Sequence, residues 1–150
     1  MNRQNVYEQL KIDEGVKREI YLDTENLATV GVGHLITESD LEYGLAVGTE
    51  ITENRVSELF EKDLDIHIEE CRVLFDEFHV YPGEVQEILV NMMFNMGRPN
   101  LSKFKGMRRG LDARDWNAAA DEMVDSKWYR KLEELGSERA KRLVARMRNV

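Results

Sequence analysis

Two carboxylates near the start of the chain have types and spacing that can do chemistry. Glu14 closes a short helical pattern just before Gly15, and Asp23 opens a turn-like DTEN nine residues later. A helix end followed by a returning strand can bring two such positions face to face. Hydrolysis of a glycosidic bond asks for such a pair: one carboxylic acid protonates the leaving oxygen, and a second, ionised carboxylate acts as nucleophile or holds a water. Thr29, on the returning strand, could set a hydroxyl beside Asp23 and orient that water. His34 ends the hairpin and could anchor it through a buried ion pair. Spacing alone does not single these residues out. The chain holds 29 acidic residues, and from spacing alone a surface-helix cap at Glu14 with an ordinary turn residue at Asp23 is the more ordinary reading.

Other reactive residue types point elsewhere. Cys71 is the only cysteine, which excludes an internal disulfide, and its place on a helical apolar stripe predicts a buried structural thiol. His67 and His79 lack partners at ligand spacing, so neither a metal site nor any other cofactor is expected. Trp116 and Trp128 are expected in the core rather than stacked on sugars, and Met92, Met93 and Met96 read as packing.

The elements that must position these residues follow from periodicity. Val6 to Gly15 reads as a short helix that Gly15 stops. The run REIYLDTENLATVGVGHLIT alternates polar and apolar residues and predicts a hairpin, Glu19–Leu22 paired with Ala28–Val32 and closed by Asp23–Asn26. Gly31 and Gly33 flank Val32, as expected where the backbone bends or lies close to a ligand. Leu35 to Gly48 reads as loop or short strand, with Thr37 to Gly44 too polar for core. Thr52 then caps a long helix to Phe75, striped by Val56, Leu59, Phe60, Leu64, His67, Ile68, Cys71, Leu74 and Phe75. Val85–Met96, Leu101–Leu111, Trp116–Val124 and Glu138–Met147 read as further helices. Tyr81–Gly83, Gly97–Asn100 and Gly110–Asp112 read as loops. The layout is α+β: a small N-terminal lobe with a β-hairpin (about 1–51), a connecting helix (about 52–75) and a mostly helical C-terminal lobe (about 76–150), all one domain. A cleft between such lobes is where a polymer would sit.

Composition is that of a folded chain, with 42% hydrophobic and 33% charged residues. No signal-peptide-like apolar core opens the sequence and no stretch has the length to span a bilayer, so cytoplasmic synthesis without membrane insertion is expected. The net charge of −8 is uneven: Lys127 to Val150 carries eight Lys/Arg against three Glu. That basic tail suits an anionic polymer or, equally, a solvated helix face with cations at its C-terminal end.

The stretch KIDEGVKREIYLDTENLATVGVGHLIT resembles the T-even bacteriophage lysozymes, muramidases of the phage lysozyme family. Shared are an acidic residue before Gly at a helix end, then IY-x-DT-E, then T-x-G-x-GH. LFEKDLD, VNMMFNMG, SKWY and ERAKRLV extend the likeness over nearly the whole chain. The resemblance implies Glu14 as general acid, Asp23 as second carboxylate and Thr29 as the hydroxyl that positions water. It implies substrate contacts from Gly33, Leu35, Asn95 and Phe104, and support of the site by Gly31, His34, Asp63 and Arg139. Asp63 matches the family's buried partner of the histidine, and Arg139 the arginine near the catalytic glutamate. Departures are Asn26 in the turn where the family carries Gly, Asn95 in place of a longer amide, a shorter loop after His34, and an acidic overall charge. Asn tolerates left-handed φ, so the turn is expected to survive.

The expected function is that of a peptidoglycan muramidase, a bacteriolytic endolysin acting at the end of a phage cycle. It would be a monomer made in the host cytoplasm and act in the periplasm after a separate pore protein lets it through. Nucleic-acid binding is not expected, because the acidic body outweighs the basic tail. The rival readings are a lytic transglycosylase, and a non-catalytic wall-binding or virion-structural protein with the same fold.

Overall fold

The computed structural model describes residues 1–150 and divides into two compact units, Gln4–Ile66 and Met1–Arg3 with His67–Val150, the division falling inside one long helix.

The first unit opens with helix α1 (Arg3–Glu14), whose Val6 and Leu10 are buried. The chain then turns at Gly15, φ +75°, into a three-stranded antiparallel sheet. Its strands are β1 (Lys17–Leu22), β2 (Ala28–Gly31) and β3 (His34–Leu35), in that order. In β1 Ile20 alone is buried; Arg18 and Leu22, on the same face, are exposed, so the strand does not show the full alternation that the hairpin reading used. Tyr21 pairs with Thr29 and Leu22 with Ala28, with an irregularity between Lys17 and Tyr21. The free edge of β1 is covered by 48–51: Ile20 donates to the Thr49 carbonyl (2.9 Å), and Gly48 and Ile51 donate to Ile20 (2.8 Å) and Arg18 (2.7 Å).

The hairpin turn survives its Asn as expected: Asn26 adopts φ +62°. The Asp23 carboxylate closes the turn by accepting from the Glu25 and Leu27 amides at 2.8 and 2.9 Å.

Helix α2 (Glu53–Leu74) begins where Thr52 Oγ1 accepts the Arg55 amide at 3.1 Å, as an N-cap should. Its stripe is buried at Val56, Leu59, Phe60, Leu64, Ile68, Cys71 and Leu74. His67 is the exception: it stays half-buried, hydrogen-bonded to Glu70 and ring-stacked on Phe94.

One expectation fails between the sheet and α2. The segment read as too polar for core is inverted: Asp40 and Glu42 are buried, whereas Leu41, Tyr43, Leu45 and Val47 are exposed. Charges pull the acidic residues inward. Glu42 accepts two 2.9 Å hydrogen bonds from the Arg55 guanidinium, and Asp40 meets His34 and Lys62. A paired, hydrogen-bonded carboxylate can be buried where an unpaired one cannot.

The second unit is helical: α3 (Gly83–Leu101), α4 (Lys105–Asp112), α5 (Trp116–Val124), α6 (Lys127–Glu134) and α7 (Arg139–Arg148), with a 3-10 turn at Phe78–Val80. Its core gathers Ile88, Leu89, Met92, Met93, Met107, Leu111, Met123, Leu143 and Met147. The loop expected at Gly97–Asn100 is a break within α3, where Gly97 takes φ 77° and ψ 164°. The loop expected at Gly110–Asp112 is instead the last turn of α4. There Gly110 lets α4 approach α5 so closely that a Cβ would lie 2.6 Å from the Ala119 nitrogen. Helix α6 was not expected; it buries no residue, so only its Ser126 cap, which accepts the Tyr129 amide at 3.1 Å, marks it. The two tryptophans are half-buried rather than core, because each sits at a helix start with its ring on the surface of the unit.

Candidate functional site

Most of the sequence-derived site residues fall in the first unit. Glu14 is the last residue of α1, half-buried, and lies against the hairpin end: a Cβ built on Gly33 would sit 3.4 Å from both Glu14 Cβ and Oε2. Gly33 has φ +62° and Gly31 +69°. These left-handed residues let the chain reverse tightly between β2 and β3, with Gly31 passing close to Val56.

Asp23 follows the end of β1, with one carboxylate oxygen committed to the turn. Thr29 lies on the opposing strand, paired with Tyr21 and 5% exposed, its hydroxyl donating to the Leu27 carbonyl at 2.9 Å. Asp23 and Thr29 thus hold the same short segment, Asp23 by the Leu27 amide and Thr29 by the Leu27 carbonyl. The hydroxyl's lone pairs can still accept a hydrogen bond.

Tyr21 links the two acids. It stands opposite Thr29, and its hydroxyl pKa is raised by burial first and then by the negative charges of Glu14 and Asp23. Both negative charges thus bear on one phenol.

His34 is the buried anchor of this arrangement. Nδ1 meets Asp63 Oδ2 at 2.7 Å, the pair that the resemblance implied, and Nε2 meets Asp40 Oδ2 at 2.8 Å, which no sequence signal indicated. With a carboxylate at each nitrogen, both ring N–H groups can donate when the ring is protonated, which favours the cation. Burial opposes that charge, but the hydrogen bonds and charges of Asp63 and Asp40 outweigh it and raise the pKa. Burial likewise opposes ionisation of Asp40, yet the Thr37 amide, His34 and Lys62 hold its pKa down to about 2. Leu35, next in β3, is exposed.

The remaining candidates lie in the second unit and fall into two clusters. Asn95 Oδ1 accepts the Trp128 indole N–H at 2.6 Å, and Phe104 meets the Trp128 ring edge-on, centroids 6.2 Å apart. Arg139 is buried and donates from Nε to Asn91 Oδ1 at 2.8 Å and from Nη2 to the Asn91 carbonyl at 3.1 Å. Sequence reasoning missed Asp40, Tyr21 and Trp128 as members of these clusters. Tyr21 was within reach, since period-2 register sets it opposite Thr29.

Comparison with known proteins bears on the whole chain. The family model described as phage lysozyme matches residues 11–149. The chain is 33% identical over 138 residues to the protein named "Probable T4-type lysozyme 2" of Dictyostelium discoideum, covering 79% of this chain and 81% of that one. It is 32% identical over 143 residues to "Probable T4-type lysozyme 1" of the same organism, covering 83% and 84%. A third similarity, 33% over 140 residues, is to the pre-baseplate central spike protein Gp5 of Enterobacteria phage T4, covering 81% of this chain and 24% of that protein.

Proposed function

The chain belongs to the phage lysozyme family, and from that premise we propose that it hydrolyses the β-1,4 bond between N-acetylmuramic acid and N-acetylglucosamine in peptidoglycan. The observation that carries the reading is the placement of Glu14 against Gly33 at the hairpin end, with Asp23 and Thr29 on the same hairpin and Tyr21 paired with Thr29. Glu14, protonated, donates to the glycosidic oxygen. Asp23, with one oxygen fixed by the turn, directs the other charge-bearing oxygen at a water that Thr29 also holds. Attack by that water from the opposite sugar face inverts the anomeric centre. No metal or cofactor takes part in this scheme.

The setting proposed is bacteriolysis at the end of a phage cycle: synthesis in the host cytoplasm, passage through a separate pore, and action on the wall as a monomer. The relatives named T4-type lysozymes, from Dictyostelium discoideum, support the enzyme class more than they support that setting. A second reading, a virion-structural module with the same fold, is favoured by the similarity to a spike protein. Loss of turbidity of permeabilised Gram-negative cells tests both. Activity in the wild type and none in a folded Glu14→Gln variant supports hydrolysis through Glu14. Equal activity in the two sinks the assignment, and no activity in either favours the structural module. Mass spectrometry of the fragments separates hydrolysis from transglycosylation, since only the latter leaves an anhydro sugar.

A further inference from the structure

Asp40 is a buried carboxylate that cleavage by Glu14, Asp23 and Thr29 does not use. Its side chain has no exposed surface. Oδ2 accepts from His34 Nε2 and the Thr37 amide, each at 2.8 Å, and from the Thr37 hydroxyl at 3.3 Å. Oδ1 meets Lys62 Nζ at 3.4 Å. Burying such a cluster adds little net stability, because desolvation offsets the attraction. What the hydrogen bonds do add is geometry. The Asp63 contact alone leaves the imidazole free to pivot about Nδ1, whereas a second carboxylate at Nε2 fixes its rotation as well as its place.

That clamp adjoins the contact made by the candidate acid. His34 pairs with Val30, and the reversal between them is Gly31, Val32 and Gly33, with both glycines at positive φ. Glycine backbone is permissive, so this reversal takes its position from its two ends. β2 holds one end in the sheet. The other end belongs to β3, which spans only His34 and Leu35, so the His34 side chain supplies the anchorage that a longer ladder would give. Glu14 lies against Gly33, its Cβ and Oε2 each 3.4 Å from where a Cβ would stand.

We propose that Asp40 is a positioning residue for the general acid: by holding His34 at its second nitrogen it fixes Gly33, and with it the side chain of Glu14. The inference rests on the reading of Glu14 as proton donor. It ties turnover to the protonated ring, because only the cation donates to both carboxylates. The charged groups that face the ring are Asp40 from the loop and Asp63 from α2; Lys62, also of α2, bears on it through Asp40. Glu14 of α1 lies beyond Gly33, and the neighbouring Glu42 and Arg55 neutralise each other.

The test measures kcat and KM per folded molecule on glycan strands across pH, beside nuclear magnetic resonance of the His34 ring and of the Glu14 Hβ to Gly33 Hα Overhauser contact. Deprotonation of Glu14 gives kcat one alkaline limb, and the clamp adds a second at the midpoint of the ring, where the Overhauser contact should also weaken. At a pH below that midpoint, Asp40→Asn should lower kcat about tenfold with KM held, the scale of a slightly misplaced catalytic group. The second limb and the ring midpoint should move down in pH together. Lys62→Gln removes the opposite charge from a half-exposed pair but keeps both ring contacts, so its kcat should stay within about twofold. An unchanged kcat in Asp40→Asn, or an Overhauser contact of equal strength there, overturns the proposal while glycan cleavage stands. If the wild type cuts no strand, the reading of Glu14 fails, and the Overhauser contact alone decides whether Asp40 holds the hairpin end. If Asp40→Asn does not fold, the wild type's own titration decides: a contact indifferent to the His34 midpoint overturns the clamp.

Discussion

The side chain of Glu14 lies against Gly33, so that a single methyl there would stand 3.4 Å from both its Cβ and its Oε2. A helix terminus and a strand reversal are thereby registered against each other at one atom. Gly33→Ala fits the space barely and must hold φ +62°, which costs about 1–2 kcal/mol for a residue with a Cβ. Gly31→Ala carries a similar backbone cost at φ +69° but meets Val56 instead. Urea unfolding should find the two variants about equally destabilised. Cell-wall turnover per folded molecule should fall further in Gly33→Ala; equal turnover would remove the link to Glu14.

Asp23→Asn separates the structural and chemical roles of one side chain. An amide oxygen can still accept the Glu25 and Leu27 amides, so the turn persists and the melting temperature should move by only about 2 °C. The negative charge is gone, and turnover should drop at least about a hundredfold, in the range of lost general acid–base or charge-stabilising groups. A variant that keeps its turnover would return Asp23 to the status of a turn residue.

The His34 cluster makes stability depend on pH in two windows. His34 has a raised pKa, so its contribution is complete below its ordinary 6.5 and is lost as pH rises through the folded value. Asp40 has a lowered pKa, so its contribution is complete above its ordinary 3.8 and is lost as pH falls through about 2. Asp40→Asn leaves His34 with one carboxylate in a buried site and should cost about 3 kcal/mol near pH 5. Chemical denaturation across pH 2 to 9 checks the shape: the gap between wild type and variant should be widest between the windows and narrow at both ends.

Much of this was legible in the sequence. The hairpin, its Asp23 turn and the α2 stripe follow from period-2 and helical patterning, and the His34–Asp63 pair followed from the family motif. The segment after β3 was not legible, because patterning assigns acidic residues outward and the partners that draw Asp40 and Glu42 inward come from other elements, His34 from β3 and Arg55 and Lys62 from α2. Helix α6 escaped for the opposite reason: it buries nothing, so no apolar period betrays it. Gly110 suggested a loop, whereas the structure uses its missing side chain for helix contact.

That contact gives a further prediction. Gly110→Ala would press a methyl to 2.6 Å from the Ala119 nitrogen and 2.9 Å from its Cα, backbone atoms that cannot swing aside. Overpacking of this kind costs about 1–3 kcal/mol. Gly106→Ala meets only the Glu122 carboxylate, the far end of a flexible side chain. It should cost little or even stabilise α4 through alanine's better helix propensity. Thermal unfolding of the pair ranks them, and a Gly106→Ala variant as unstable as Gly110→Ala would contradict the packing.

Cys71 has no exposed surface, and burial pushes its thiol up to about 12. At neutral pH the thiolate that oxidants and disulfide partners attack is therefore scarce. Copies of this chain should therefore not crosslink through sulfur, and the protein can pass from a reducing to an oxidising surrounding with its covalent structure unchanged.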